Sequence, residues 1–107
     1  MNIYYPYPAN DGKHKYFIYT PVGKKISFGA FGMSDYTIHK DIIRKEAYIK
    51  RHKKRENWGK FGVNTKGWFS RWLLWEEPNI KDAYEKIKDK LLKWGYISEE
   101  QYNSYVF

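Results

Sequence analysis

Cysteine is absent from this 107-residue chain. No disulfide and no thiolate metal site can form, and the composition fits a reducing compartment. No apolar run is long enough to span a bilayer. The opening MNIYYPYPAN lacks the basic and apolar regions of a signal peptide. The expectation is a molecule with no membrane attachment, soluble or held by protein partners. Histidine is scarce: His14, His39 and His52. His39 and Asp41 stand two apart, too few ligands for a metal without long-range help. Asp41 is read as favouring a helix start, with His39 packing or capping beside it. No paired carboxylates suggest a nuclease. Gly29-Ala30-Phe31-Gly32 follows a predicted strand but lacks the lysine and spacing of a phosphate loop. The chain is therefore read as non-enzymatic, with no catalytic residue, metal, cofactor or small-molecule substrate.

Aromatic residues, by contrast, make up 21% of the chain. Each can bury a large area, which suits a single domain with a modest core. A surplus at the surface, beside basic residues, would suit contacts with protein or nucleic acid.

The net charge of +8 is uneven. Residues 40–60 carry nine Lys/Arg against Asp41, Glu46 and Glu56, while residues 61–107 balance seven against seven. Most of the excess lies in about one fifth of the chain, which points to a polyanion or an acidic partner there.

Residues 1–14, with two prolines and the turn signal Asn10-Asp11-Gly12, read as an extended arm. Ile3, Tyr4, Tyr5 and Tyr7 are expected to dock on the protein's own core or on a neighbour. Tyr16–Tyr19 and Ile26–Phe28 favour strands. Pro21-Val22-Gly23-Lys24 between them suggests a hairpin with a type II turn. Asp35 and Thr37 are candidate N-caps. Residues 40–55 form a helix by composition, with Ile42, Ile43, Ala47 and Ile49 as an imperfect apolar stripe. A loop spans about 57–66. Trp68, Trp72 and Trp75 fall at helical spacing in a short, nearly all-round buried helix that ends at Pro78. Arg71 inside it needs an acid such as Glu76 or Glu77. Asn79 caps a helix over about 80–94, with Ile80, Tyr84, Ile87, Leu91 and Trp94 buried and Gly95 ending it. Ser98 to Gln101 is a capping box. The fold class is α+β: an arm (1–14) and a β-hairpin packed on a mainly helical body of about four helices, with 15–107 one compact domain.

The functional signal is the helix at 40–55. Arg44, Tyr48, Arg51 and Arg55 line one strip, with Lys50, Lys53 and Lys54 elsewhere on its surface. Such a strip contacts phosphates or the carboxylates of a partner protein; the bland reading is a solvated face. A helix-turn-helix is excluded by the ten-residue gap to the next helix.

The residues His39, Lys40, Asp41, Arg51, His52, Trp58 and Ser70-Arg71-Trp72-Leu73-Leu74-Trp75, with a Pro beyond, resemble a family of small proteins of large eukaryotic DNA viruses, the mimivirus and algal-virus groups. The resemblance runs from about Lys15 to Lys90. One departure is Asp41-Ile42-Ile43-Arg44 where that family has Asp-Pro-Glu-Arg, which removes only a proline at the first helical position. The family carries no assigned activity. The resemblance implies a virion component made in the host cytoplasm. The expectation is a minor capsid or shell-bridging protein with protein partners. It would use Arg44, Lys50, Arg51, Lys53, Lys54 and Arg55 for charge, and Tyr48 and Trp58 as aromatic anchors. Tyr4, Tyr5 and Tyr7 would be a second contact. The alternative is non-specific DNA binding through the same helix.

Overall fold

A computed structural model describes all residues, 1–107. Three antiparallel strands open the fold: β1 (Tyr7–Pro8), β2 (His14–Tyr19) and β3 (Lys25–Ala30), in that spatial order. Five helices follow: α1 (Tyr36–His39), α2 (Ile42–His52), α3 (Lys66–Phe69), α4 (Ile80–Lys93) and α5 (Glu99–Ser104). α3 runs on into a wider π-helical turn over Ser70–Leu74. The class is α+β.

The hairpin forms where β-formers alternate, with Ile18, Ile26 and Phe28 buried. Its turn differs from expectation. The Gly23 N–H donates to the Thr20 carbonyl at 2.9 Å, so Pro21 and Val22 are the central residues. A type II turn would put Val22 at positive φ, which a β-branched side chain resists. Instead Gly23 takes the positive φ, +82°, one position later. This is the three-residue loop with a glycine bulge.

The arm is not a separate element. Ile3 bridges Tyr19, and Tyr7–Pro8 pairs with Tyr16–Phe17 as an edge strand. Tyr4 is 1% exposed, stacked near Phe69, and its hydroxyl donates to Asn64 Oδ1 at 2.7 Å. Tyr5 lies against Tyr84, Tyr105 and Phe107 and donates to the Val106 carbonyl. Tyr7 stacks on Phe17. The second contact assigned to Tyr4, Tyr5 and Tyr7 is therefore corrected. Three tyrosines at this spacing bury more apolar area on the protein's own core than an exposed arm would.

The helix expected over 40–55 is present but shorter, Ile42–His52, and a separate turn of helix, α1, precedes it. Asp35 caps α1 by accepting from the Thr37 N–H, and Lys40 stops it in the left-handed conformation at φ 55°. Asp41 then caps α2 through the Ile43 and Arg44 N–H groups, and His39 Nδ1 accepts from the Asp41 N–H at 2.9 Å. α2 ends at His52, so Lys53, Lys54 and Arg55 lie in the turn beyond it. Its inward face is Lys45, Tyr48, Ile49 and His52, not the isoleucine stripe; Ile42, Ile43 and Ala47 are exposed.

β3 packs on α3 and its π-helical extension, which pack in turn on α4. Trp68, Phe69, Leu73, Tyr84, Ile87 and Leu91 are completely or almost completely buried there. Arg71 lies in this layer at 8% exposure. Its Nη1 donates to Glu76 Oε1 at 2.9 Å and to the Trp75 carbonyl at 3.2 Å. Its guanidinium sits over the rings of Trp58 and Trp72, at 5.2 and 4.5 Å from their centroids. α4 ends in a Schellman motif: Tyr96 N–H bonds the Leu91 carbonyl, Gly95 N–H bonds Leu92, and Gly95 has φ +81°. α5 opens with the Ser98–Gln101 capping box.

Lys88, 5% exposed, holds α5 in place. Its ammonium donates to the carbonyls of Tyr102 and Tyr105, at 3.0 and 2.8 Å, and pairs with Glu85 at 3.0 Å. It binds the last carbonyls of that helix as a cation should. Lys88→Met is expected to cost about 2–3 kcal/mol, since hydrogen bonds to charged groups contribute about 1.5–3 kcal/mol. Amide exchange should accelerate in residues 98–107 before it does in α4; uniform acceleration would show that α5 is not a separable unit.

Candidate functional site: a basic groove

An open groove of about 910 Å³ runs beside α2. It is bounded by the β2 start, the free-edge strand β3, the loop before α1, the second half of α2 and the start of α3. Distant segments therefore meet here: Lys13, His14 and Lys15; Arg51, His52 and Arg55; and Lys66.

The charges in it divide into satisfied and free. Lys15 is paired with Asp35, which is 2% exposed and also accepts from Thr37. Lys13, Arg51, Arg55 and Lys66 have no ion-pair partner. This contrasts with Arg71, Lys45 and Lys86, which all converge on Glu76. Burial pushes the Glu76 carboxyl up, but the Arg71 hydrogen bond and these three cations hold it below its ordinary value. The groove thus keeps an excess of uncompensated cations in a concave surface, where their field adds.

Two imidazoles also line the groove, each with a carboxylate at Nδ1. His14 meets Asp11 at 2.7 Å and His52 meets Glu56 at 3.3 Å. Asp11 also accepts the Lys13 and His14 N–H groups. The His14 hydrogen bond, followed by these, holds its carboxyl well below the usual range. The Glu56 carboxylate fills the space over Gly67, where a Cβ would lie 2.7 Å from Oε1.

The apolar part of the lining comes from Phe28, Met33, Leu74 and Trp75. Behind it stands a ring stack. Tyr48 lies between Trp75 and His52, with both centroids at 4.3 Å and interplanar angles of 4° and 25°. Burial pushes the Tyr48 hydroxyl up, so it stays neutral.

Of the residues expected to form the contact, Arg51 and Arg55 face this groove, and Tyr48 supports it from within. Tyr48, at 6% exposure, is not a surface anchor, because its ring is covered on both sides. Trp58 is half-buried under Arg71, and its carbonyl accepts from Trp72 Nε1, so it faces the core rather than a partner. Arg44, Lys50, Lys53 and Lys54 are exposed but lie outside the groove lining. Lys13 and Lys66 were not legible as site residues. Each is a lone lysine after a turn or cap, and only the fold brings it near Arg51.

Several apolar side chains near α1 are exposed. Phe31, Met33, Ile38, Ile42 and Ile43 are each at least half exposed, within 13 residues of chain. No three His, Cys, Asp or Glu side chains gather as a metal site would need. No helix is long and apolar enough to cross a membrane.

The model of a family of unknown function (DUF5754) matches residues 7–52. That span runs from the first residue of β1 to the last of α2. It includes one wall of the groove and stops short of the Ser70–Trp75 motif. No curated protein and no solved structure matches the chain.

Proposed function

We propose that this protein is a non-enzymatic component of the particle of a large DNA virus, and that it binds nucleic acid through the basic groove. The reading rests on one observation. Lys13, Arg51, Arg55 and Lys66, from three separated parts of the chain, line one concavity and have no acidic partner. A solvated face would not need to be concave, and internal acids neutralise several of this chain's other cations. The viral setting comes from the sequence resemblance.

The test is fluorescence anisotropy of the purified protein with mixed-sequence DNA across a salt series. Each phosphate neutralised adds about 0.9 to the slope of log K against log salt for duplex and about 0.7 for single strands. Four free cations predict a slope of about 3–4, independent of sequence. A slope near one, or no binding, would overturn the reading.

A second reading, a minor capsid or shell-bridging protein, is favoured by the exposed Phe31, Met33, Ile38, Ile42 and Ile43. Apolar contact flanked by arginine is the usual composition of a protein interface. Charge reversal at Arg51 and Arg55 would then spoil assembly while leaving the isolated chain folded.

A further inference from the structure

We infer that the groove takes a single-stranded nucleic-acid segment, bases inward, rather than a duplex; the inference rests on the nucleic-acid reading above. Three observations carry it.

The first is shape. The groove is an open concavity of about 910 Å³, comparable in size to the roughly 300–1,000 Å³ of small-ligand sites. A duplex is a stiff rod that keeps its bases stacked inside and offers only phosphates to a nonspecific surface. A single strand is flexible and can fold its bases into a cleft.

The second is the lining. Met33, which is exposed, and Trp75, which is partly exposed, supply apolar surface in the groove that Lys13, Arg51, Arg55 and Lys66 also line. Duplex phosphates gain nothing from such a floor. Unstacked bases gain from it while their phosphates reach the cations.

The third is the ring stack. His52 ends the series Trp75–Tyr48–His52, its side chain is 29% exposed, and its only ring partner is Tyr48. No other ring of the protein covers His52, so a base can extend the existing stack, with the Glu56 carboxylate 3.3 Å from Nδ1. Arg44, Lys50, Lys53 and Lys54 lie outside the lining and serve as an internal comparison, because a duplex lying across α2 would use them.

The experiment compares a 12-nucleotide mixed-sequence single strand, a duplex of the same length and polyglutamate, at low salt. The variants are the groove pair Arg51→Glu/Lys66→Glu, the outer pair Lys50→Glu/Lys53→Glu, and His52→Ala beside His52→Phe. Melting curves check that each variant folds. The single strand is expected to bind about tenfold or more tighter than the duplex, as stacking on even one ring provides. The groove pair should lose about tenfold or more, and the outer pair less than about threefold, as salt-sensitive contacts removed from or spared in the site. His52→Ala should weaken single-strand binding by about fivefold or more, with His52→Phe retaining it. Equal binding of duplex, with equal loss from both pairs, would overturn the inference and leave nucleic-acid binding standing. Polyglutamate binding as tightly as the single strand would assign the groove to an acidic protein segment. No binding to any nucleic acid would remove the underlying reading as well.

Discussion

Gly62→Ala is expected to cost this protein about 3 kcal/mol or more, the upper range for forced overpacking. For a chain of this length, that is a fall in melting temperature of roughly 10–20 °C. A Cβ at position 62 would lie 1.8 Å from the Asn57 carbonyl oxygen and 2.7 Å from its carbon. Both are backbone atoms, so no rotamer change relieves the overlap. The loop cannot easily move either. Asn57 Oδ1 accepts the Gly59 N–H, Gly62 N–H bonds the Gly59 carbonyl, and the Gly62 carbonyl accepts the Thr65 hydroxyl. The next residue, Val63, is fully buried. Gly67→Ala is the control, because its Cβ meets only the end of the flexible Glu56 side chain. Thermal melts of the two variants should therefore separate clearly. A drop of under about 4 °C for Gly62→Ala, less than 1 kcal/mol, would show that the loop yields.

Arg71→Met is the second large effect. Removing one partner of a fully buried ion pair costs about 3–5 kcal/mol. Here Glu76 is 21% exposed and keeps Lys45 at 3.6 Å and Lys86 at 3.8 Å. The expected loss is therefore about 2–3 kcal/mol. Part of it is cation–π contact with Trp58 and Trp72, which methionine replaces only as apolar packing.

The loss should depend on pH in a definite direction. The Glu76 carboxyl is held below its ordinary value of 4.5 in the folded protein. The stability it contributes is therefore present above that value and disappears as pH falls through the lower, folded-state pKa. Urea melts of the parent protein and Arg71→Met should differ most near neutral pH and converge in acid. A difference constant down to pH 2 would mean that Arg71 acts through packing alone.

Much of the fold was legible because its signals are local. Asn79, Ser98 and Gly95 announce α4 and α5 by capping chemistry, and all three act as read. The pairing of Arg71 with Glu76 followed from the cost of an unpartnered guanidinium. What failed was what tertiary packing decides. The break at Lys40 has no glycine to mark it, and residues 40–55 are good helix formers throughout. The inward face of α2 is chosen by Trp75, which takes Tyr48 in preference to the isoleucines. The arm was expected to dock, on its own core or on a neighbour, and no nearby residue shows that Tyr84, Tyr105 and Phe107 wait for Tyr5. The charge of residues 44–55 was visible in the sequence; that Arg51 and Arg55 share a groove with Lys13 and Lys66 was not.

The clasp between Tyr5 and Val106 also sets an order of folding. That hydrogen bond joins residues 101 apart, and Tyr5 packs on Phe107 beside it. The β2–β3 hairpin and α4 need only local contacts and can form in microseconds. The clasp must close nearly the whole chain, so its loop entropy is met only after the middle has collapsed. Until then Tyr5, Tyr84 and Phe107 lack the aromatic contacts they make in the folded protein, and exposed apolar surface of this kind favours self-association during refolding. A piece ending at His52 would keep the hairpin and the basic helix but never cover that surface. The stretch that matches a family model starts after Tyr5 and ends before α3, against which β3 packs.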